Sequence, residues 1–476
     1  MGSSSFSGID NFKKFLQQTS WGNIMVTLII RKGIHCFNLP QIMKDKILRD
    51  LTFDNPKYIS AKKYGLFIGS DTPPKLQFFS YRRQEDVFYI PRGYLYYLIK
   101  TMQAECVEFK IEDKTTILPK LDLQFKGVPR EYQKIAVDKM KQYPIGVLES
   151  STGSGKTFMG IHLIAIRKQP TLIIVHTKEL VQQWLKSIKD FLGYDAGVLG
   201  DGKFILKDIS IGIVQTVRNH MEELKDRFGH VICDETHRCP STMWTDVLSQ
   251  FSARYYLGLS ATAIRADGLG EAIFAFIGPK IHKVDAGHLQ DVGAVLKPEV
   301  IRVLTRYGYM YRGDYSSMVS DLAGNETRNR LIVDCICKDI KDHNSSILVV
   351  SDRVQHCIEL QSILDSKKIK SVLLASNLST ENRKKIVADM KSGKEKVAFA
   401  TVQLVGEGFD APNIHAIFLC TPIKWKGRLV QVVGRVLRPE EGKTARVYDF
   451  RDDNVAALRK IGRERDKTYK TYWGNV

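Results

Sequence analysis

Cysteine is scarce in this sequence, and long apolar stretches are missing from it. The 476 residues include 8 cysteines, which is too few for a disulfide framework in a chain of this length. No apolar run approaches the roughly 18–20 residues that a membrane-spanning helix needs. Cys233, His237 and Cys239 are close in sequence, but Cys233 belongs to an apolar, strand-like run, which disfavours a zinc site. We therefore expect a globular, cytoplasmic protein with reduced thiols.

Acidic residues are also in the minority among the charged ones. Lysine and arginine total 71 against 52 aspartates and glutamates, which gives a formal net charge of +19. So basic a chain is typical of proteins that bind a polyanion, most often nucleic acid. The alternative is that the positive charge only keeps the protein in solution. Hydrophobic residues make up 43% of the chain, so folded cores rather than disorder are expected.

The N-terminal quarter differs from the rest of the chain. Residues 1–24 begin with MGSSS and lack a signal-peptide core, which indicates a vector-derived leader. Residues 25–125 alternate short strand-like runs with proline- and glycine-containing turns, which predicts a small β-rich domain; the runs are VTLII, GLFIG, LQFFSY and VFYIP. Twelve aromatic residues lie between 51 and 100 among lysines and arginines, a mixture that suits DNA recognition. The alternative is that most of these rings form the core.

The hydrophobic period changes from residue 126 onward. Apolar runs of about five residues alternate with amphipathic helices, which predicts parallel sheets with helices on both faces. The predicted elements include a strand over ISIGIVQT (209–216) and a helix over RLVQVVGRVL (428–437). The pattern pauses around 278–325 and then restarts. We therefore expect an α/β fold with two tandem parallel-sheet domains, 126–300 and 301–476.

The stretch ESSTGSGKTF (149–158) has the strand–loop–helix setting of a phosphate-binding loop. It departs from the spacing G-x-x-x-x-G-K-[ST], because Ser150 stands where the first glycine should be. Backbone N–H groups of such a loop and the positive end of the following helix hold phosphate. Lys156 would neutralise the β- and γ-phosphates, and Thr157 would ligate Mg²⁺. The other predicted nucleotide contacts are Thr152, Gly153, Ser154 and Gly155.

An apolar strand within VICDETH (231–237) delivers two carboxylates to its carboxyl end. Asp234 would hold Mg²⁺, and Glu235 would orient or deprotonate the attacking water. The alternative is an ordinary surface turn after a strand. Further residues would couple the nucleotide state to the rest of the protein: His237 in this motif, and the hydroxyls Ser260 and Thr262 of LSAT.

The second half carries a pair of arginines in QVVGRVLRP (431–439). Arg435 and Arg438 are three residues apart, which predicts that they share one helix face. We interpret them as arginine fingers that would reach the γ-phosphate and stabilise transition-state charge. The alternative is a solvated basic face.

In their order along the chain, these motifs, with REYQ (130–133) and GEGFD (406–410), resemble the DExH helicases of superfamily two over about residues 130–450. The resemblance implies two RecA-like domains with ATP and Mg²⁺ between them and nucleic acid across their top. It implies nucleotide contacts by Arg130, Gln133, Gly408 and Asp410, and coupling by Gln431. It also implies nucleic-acid contacts by Lys178, Gln182, Gln215, Thr216, Arg265 and Thr401.

Two further features narrow this resemblance. R-x-D-G directly after S-A-T and the G-E-G-F-D loop are similar to the XPB-like and phage helicases. XPB-type proteins have R-E-D where this chain has Arg265-Ala266-Asp267. The N-terminal stretch FDNPKYISAKKYG (53–65) is similar to the small recognition domain in front of tailed-phage branch-migration helicases. A phage origin would place the protein in the host cytoplasm.

The expected function is therefore that of an ATP-dependent DNA helicase or translocase acting as a monomer on forks and junctions, in recombination, replication or repair. Affinity for DNA would depend mainly on phosphate contacts. Three alternatives remain open from the sequence. They are an RNA helicase, a double-stranded-DNA translocase that remodels without unwinding, and a nucleic-acid-binding scaffold with an inactive ATPase.

Overall fold

The computed structural model describes residues 25–151, 153–236, 242–261, 269–374, 378, 380–406, 414–440 and 442–474. The described residues fall into two compact units. The first lies within Met1–Ser150 and Gly155–Val284, and the second within Ser151–Ser154 and Asp285–Val476. No helix in the described part of the chain is long and apolar enough to cross a membrane. The expected domain bounds at 125 and 300 stay predictions, as does the leader over 1–24, which lies outside the described residues.

The first unit begins with a β-rich region. Its elements are β1 (Val26–Ile30), β2 (Ile34–Phe37), α1 (Gln41–Asp50), β3 (Thr52–Asp54), α2 (Pro56–Lys63), β4 (Lys75–Gln77), β5 (Ser80–Arg82), β6 (Val87–Ile90), a 3₁₀ turn (Arg92–Tyr94), α3 (Leu95–Ala104) and β7 (Phe109–Asp113). A five-stranded sheet has the order β5-β6-β2-β1-β7, in which only the β1–β7 pair is parallel, and β3 pairs separately with β4. Strand β1 buries every second residue, as expected when one sheet face meets a core.

The prediction of a strand over GLFIG (65–69) is wrong. Helix α2 ends just before this run, and Gly65 takes a left-handed φ of 63°. The Leu66 N–H then donates to the Ala61 carbonyl at 2.9 Å, which is the hydrogen bond that closes many helix C-termini. This turn leads the apolar run away from the sheet, and Phe67 is left 94% exposed.

The α/β part of the first unit is built on an eight-stranded sheet. Its elements are α4 (Glu131–Met140), β8 (Ile145–Glu149), α5 (Lys156–Arg167), β9 (Thr171–Val175), α6 (Lys178–Leu192), β10 (Gly197–Gly200), β11 (Lys203–Ile205), β12 (Ile209–Ile213), α7 (Val214–Asn219), α8 (Met221–Leu224), β13 (His230–Asp234), α9 (Thr242–Leu248), β14 (Tyr255–Ser260), α10 (Gly270–Ile277) and β15 (Lys280–Lys283). The strand order is β11-β10-β12-β9-β13-β14-β8-β15, and only the β10–β11 pair is antiparallel. Strand β9 is buried along its whole length, which explains why it is apolar in every residue after Thr171.

The β-rich region packs on this sheet through its 3₁₀ turn. The guanidinium of Arg92 is buried, donates to the backbone carbonyls of Ala253 and Arg254, and lies 4.8 Å from the centroid of the Tyr256 ring. Gly93 lies directly against the end of α10, where an added Cβ would be 2.3 Å from the Phe274 carbonyl oxygen. Glycine is therefore required at this close backbone approach.

The second unit contains a six-stranded, all-parallel sheet. Its elements are α11 (Ala286–Asp291), β16 (Pro298–Leu304), α12 (Tyr315–Gly324), α13 (Glu326–His343), β17 (Ile347–Ser351), α14 (Val354–Ser366), β18 (Ser371–Leu374), α15 (Thr380–Lys391), β19 (Val397–Thr401), α16 (Val402–Gly406), β20 (Ala416–Leu419), α17 (Lys426–Val433), β21 (Ala445–Arg451) and α18 (Ala456–Trp473). The order is β16-β21-β20-β17-β19-β18. The fold class expected from the sequence is confirmed: two parallel-sheet α/β layers follow a small β-rich region.

Two elements of these sheets lie in the region where the sequence pattern pauses. Strand β15 extends the first sheet and β16 the second. Both mix charged residues among apolar ones because each lies at the edge of its sheet, where a strand is only partly buried. The pause in the sequence pattern over 278–325 therefore still contains one edge strand of each sheet.

Buried ion pairs hold the helices of the second unit to its sheet. Three arginines each form an ion pair with an aspartate across the helix–sheet boundary. The pairs are Arg328 of α13 with Asp452 at 2.8 Å, Arg446 of β21 with Asp339 of α13 at 2.7 Å, and Arg465 of α18 with Asp449 of β21 at 2.6 Å. All six side chains are almost fully buried. Removing one partner of such a pair costs about 3–5 kcal/mol, because the other charge stays buried.

We predict that Gly93→Ala will destabilise the first unit. The new methyl group must displace backbone atoms of α10, and overpacking of this kind costs about 1–3 kcal/mol. Urea unfolding followed by tryptophan fluorescence will measure the change. Gly308→Ala is the matched control, since a Cβ there meets nothing within 4 Å. Equal midpoints for the two variants would contradict the close packing at Gly93.

Candidate nucleotide-binding site

The phosphate-loop sequence leads from the carboxyl end of β8 into α5. Gly153 and Gly155 have left-handed φ values of 86° and 83°, a conformation that glycine adopts without strain. The loop begins beside β14, where the Ser150 N–H donates to the Ser260 carbonyl at 2.9 Å. The Lys156 ammonium donates to the Ser150 carbonyl at 3.0 Å, which brings a positive charge to the amino end of α5. A helix amino terminus beside an ammonium group favours a bound anion.

Gln133 is packed against this loop. Its side-chain Oε1 accepts a hydrogen bond from the Arg130 N–H at 3.0 Å, so the amide is fixed at the start of α4. A Cβ on Gly155 would lie 2.5 Å from Gln133 Nε2. The structure thus brings together Gln133 and the loop, which the sequence analysis predicted to contact the same nucleotide. The side chain of Arg130 is exposed, and only its backbone takes part in this contact.

The acidic pair lies at the carboxyl end of β13. Asp234 is 5% exposed, and its two carboxylate oxygens accept hydrogen bonds from Trp184 Nε1 at 2.8 Å and from the Glu235 N–H at 2.9 Å. Burial raises the pKa of Asp234, the neighbouring Glu235 carboxylate raises it further, and the Lys156 ammonium opposes both. Glu235 itself has a left-handed φ of 56°, a rare conformation that is often found at functional sites.

These groups fit a bound Mg²⁺. A cation beside Asp234 would relieve the desolvation that disfavours its charged form. Magnesium prefers hard oxygen ligands from one or two protein groups together with substrate phosphates. The Asp234 carboxylate and the Thr157 hydroxyl, which accepts from Gln183 Nε2 at 3.4 Å, are ligands of that kind.

Two residues that sequence reasoning missed connect these motifs. Trp184 belongs to the buried face of α6, and the sequence pattern predicts only a core residue there. Its indole N–H nevertheless donates a hydrogen bond that orients the Asp234 carboxylate. Thr236 donates to the Leu259 carbonyl at 2.8 Å and so joins the acidic motif to β14, the strand that ends in Ser260. Trp184 has no sequence signal beyond helical periodicity. Thr236 could have been found from its place inside the acidic motif.

Four residues of the first unit that are predicted to contact nucleic acid and that the structure describes lie at the same sheet edge. Lys178 and Gln182 follow β9 on α6, and both are exposed, with Lys178 paired to Asp201. Gln215 and Thr216 follow β12 on α7. The predicted strand over 209–216 is wrong in its last three residues, because β12 ends at Ile213 and the chain turns directly into the helix.

The second unit has a polar cleft at the carboxyl edge of its own sheet. Thr401 ends β19 and accepts a hydrogen bond from the Leu404 N–H at 3.4 Å. A cleft of about 710 Å³ is lined by this threonine and by Tyr315, Asp352, Arg353, Gln403 and Arg428. Burial raises the pKa of Asp352, and the guanidiniums of Arg428 and Arg353 oppose that shift. Of these lining residues the sequence analysis identified Thr401; Arg353 carries the signal of a charged residue just after an apolar strand.

The prediction that Arg435 and Arg438 share a helix face is wrong. Helix α17 contains Gln431, which is buried, but it ends at Val433. Tighter turns follow, in which Arg435 N–H donates to the Val432 carbonyl at 3.2 Å. Gly434 favours the helix end, and Pro439 disfavours helical backbone at Arg438.

The remaining predicted site residues have two different outcomes. The Ser154 hydroxyl donates to the Ser151 carbonyl at 2.7 Å, a contact inside the phosphate loop. The others lie outside the described residues, and their roles stay predictions: Thr152, His237, Thr262, Arg265, Gly408 and Asp410.

We predict that Trp184→Phe will lower the turnover of nucleotide hydrolysis about 10-fold or more, because groups that orient a metal ligand contribute on that scale. The substitution removes the indole N–H that fixes Asp234, so a higher Mg²⁺ concentration should be needed for half-maximal rate. Trp244→Phe, at another buried tryptophan (3% exposed), is the matched control. Similar losses in both variants would show that Trp184 acts only through packing.

Comparisons with known proteins identify two helicase-related domains in the chain. Residues 126–265 match the family model described as the type III restriction enzyme res subunit, and residues 328–440 match the helicase conserved C-terminal domain. "Probable helicase D10" of Escherichia phage T5 is 25% identical over 352 residues, covering 72% of this chain and 75% of that protein. "DNA 3'-5' translocase XPB2" of Sulfurisphaera tokodaii is 25% identical over 407 residues, covering 78% and 91%.

The fold has solved counterparts too. The structure of S. cerevisiae Dbp5 bound to RNA and ADP BeF3 covers 73% of this chain and 88% of its own, with a TM-score of 0.52 and 15% identity. This likeness concerns the fold alone. The paired domain matches indicate an enzyme that uses ATP, usually with Mg²⁺. The chain therefore contains two helicase-related domains and resembles the superfamily-two helicases, among them phage, viral and XPB helicases, and its fold is that of tandem RecA-like domains.

Proposed function

We propose that this protein is an ATP-dependent DNA helicase or translocase of the DExH type that unwinds or branch-migrates forked and junction DNA. The observation that carries the proposal is the arrangement at one sheet edge of the first unit. Lys156, Asp234 and the exposed polar residues after β9 and β12 all follow the carboxyl ends of parallel strands. A nucleotide and a nucleic-acid strand bound at that edge would be close enough to influence each other.

The proposed hydrolysis uses groups of this chain in distinct roles. Lys156 neutralises charge on the β- and γ-phosphates, and Thr157 and Asp234 would hold an Mg²⁺ ion, which would screen the same charge. Glu235 orients water and accepts its proton as the oxygen attacks the γ-phosphorus and the bond to ADP breaks. Arg435 and Arg438 of the second unit stabilise the charge that develops on the transferred group.

Coupling to DNA follows from the bonds around these groups. Thr236 joins the acidic motif to β14, and the Ser150 N–H joins the phosphate loop to the end of the same strand. A change at the γ-phosphate would therefore act on Ser260 and on the residues that follow it. In the second unit, Thr401, Arg353 and Arg428 offer hydrogen-bond donors and positive charge to a phosphate backbone.

Support for junction recognition comes from the N-terminal region. We call residues 56–67 the N-terminal arm, and none of its side chains is buried. Its rings and cations are both exposed: Tyr64 is 65% and Phe67 94% exposed, and the same arm carries the exposed Lys57, Lys62 and Lys63. The Lys63 ammonium lies 5.4 Å from the centroid of the Tyr64 ring. Exposed aromatic rings among cations are suited to stacking on bases that are unpaired at a branch point.

The biological setting remains part of the proposal. Recombination, replication and repair all produce branched DNA, and a helicase of this kind would act on it as a monomer in the cytoplasm. The competing activities are the unwinding of an RNA duplex and the remodelling of bound protein by translocation on linear DNA. The following experiment distinguishes them from the proposed activity.

We predict ATPase stimulation and strand separation on a replication fork and a four-way junction. Linear duplex, single-stranded DNA and an RNA duplex of matched sequence complete the panel, with Lys156→Ala as the inactive control. Stimulation by linear duplex without unwinding would favour a remodelling translocase. Preference for the RNA duplex would overturn the assignment to DNA.

We predict that the double variant Tyr64→Ala/Phe67→Ala will bind a fork more weakly by about 30-fold or more, since each of the two lost base–ring stacks costs about 1–3 kcal/mol and every 1.4 kcal/mol is about tenfold in affinity. Its ATPase rate on single-stranded DNA should stay within about 2-fold of the wild type, because the motor is untouched. Tyr96→Ala, at a ring on α3 that is 47% exposed, is the matched control. Fork affinity that falls equally in the control would remove the arm from the proposal.

A further inference from the structure

The backbone of Arg438 is held from two sides. The carbonyl of the preceding residue, Leu437, accepts a hydrogen bond from the Leu296 N–H at 2.8 Å. The carbonyl of Arg438 itself accepts one from the ammonium group of Lys443 at 3.0 Å. Both contacts lie within the second unit. The two hydrogen bonds fix the backbone position at Arg438, which lies after the end of helix α17.

A tight turn brings Lys443 back to Arg438. The Lys443 N–H donates to the Glu440 carbonyl at 3.2 Å, and Gly442 has a left-handed φ of 71°. The lysine is thereby placed just before β21, with its side chain directed at the carbonyl five residues earlier. The side chain of Lys443 thus returns to the carbonyl of Arg438.

This position is unfavourable for a charged side chain. Lys443 is only 8% exposed, and desolvation lowers its pKa to about 8. The carboxylate of Glu440 opposes that shift and the guanidinium of Arg438 adds to it. An apolar side chain of similar length would fill the same space without the desolvation penalty. The ammonium group therefore has a role that apolar packing would not fill. Its hydrogen bond to the Arg438 carbonyl is a contact that an apolar side chain cannot make.

We propose that Lys443 is a positioning residue for ATP hydrolysis: its ammonium group fixes the backbone of Arg438, so that the guanidinium is presented to the γ-phosphate in one orientation. The inference rests on the proposed role of Arg438. A displacement of about 1 Å at a group that stabilises charge costs on the order of 100-fold in rate, so a fixed backbone has a direct effect on turnover.

The test compares Lys443→Met with Lys443→Arg. The methionine variant keeps the volume and removes the donor, and kcat for ATP hydrolysis should fall about 10- to 100-fold with KM within about 2-fold. The arginine variant keeps a charged donor and should recover most of kcat. Lys207→Met is the matched control, because Lys207 also donates to a backbone carbonyl, that of Asp195, at 2.7 Å, and lies in the first unit.

A second readout separates positioning from folding. In Lys443→Met, the affinity for ADP with aluminium fluoride, which mimics the transferred phosphoryl group, should fall about as much as kcat, while affinity for ADP alone stays unchanged. Equal losses for both ligands, an unchanged kcat, or an arginine variant no better than methionine would overturn the proposal. A wild-type chain without ATPase activity would overturn the proposed function itself, and Lys156→Ala calibrates that background.

Discussion

The register of three neighbouring parallel strands brings the residues of the candidate nucleotide-binding site together. In the first unit β14 pairs with β13 on one side and with β8 on the other, and Ser260 is aligned with Glu149 just before the phosphate loop. Asp234 is aligned with Leu259 in the same ladder. A shift of one residue in either pair would separate the phosphate loop from the acidic motif. Parallel pairing fixes all three carboxyl ends at one edge, because their directions agree.

The surroundings of this edge are held by contacts that differ in kind. Arg92 and Gly93 attach the β-rich region to β14 and α10 through backbone carbonyls and close packing, without a buried carboxylate among their hydrogen-bond partners. The second unit instead relies on buried Arg–Asp pairs around β21. The first arrangement makes the β-rich region part of the first compact unit. The segment after α17 is held separately, by its own turns, by the Leu296 N–H and by Lys443.

Predictions from the sequence agree with the structure where a pattern is local and are wrong where the chain changes direction. The strand–loop–helix setting of residues 149–158 is present in the structure, and Asp234 ends an apolar strand as predicted. The run GLFIG was predicted as a strand because its apolar residues were considered without the helix end that turns it outward. Gln215 and Arg438 were each assigned to an element that had already ended, at Ile213 and Val433. Element ends depend on glycine, proline and capping bonds that outweigh a periodic apolar pattern.

By itself, the sequence determined the residue types and order of the motifs, the parallel α/β class and the basic charge. Those properties follow from local periodicity and from which side chains can hold phosphate, cation or water. The tertiary structure alone decided that Trp184 fixes Asp234, that Gln133 lies against Gly155, and that Lys443 holds Arg438. The first two contacts join residues that are far apart in the chain. The third depends on a turn that the periodicity of apolar residues does not predict. Such partners become visible only when the strands have aligned and the loops have closed.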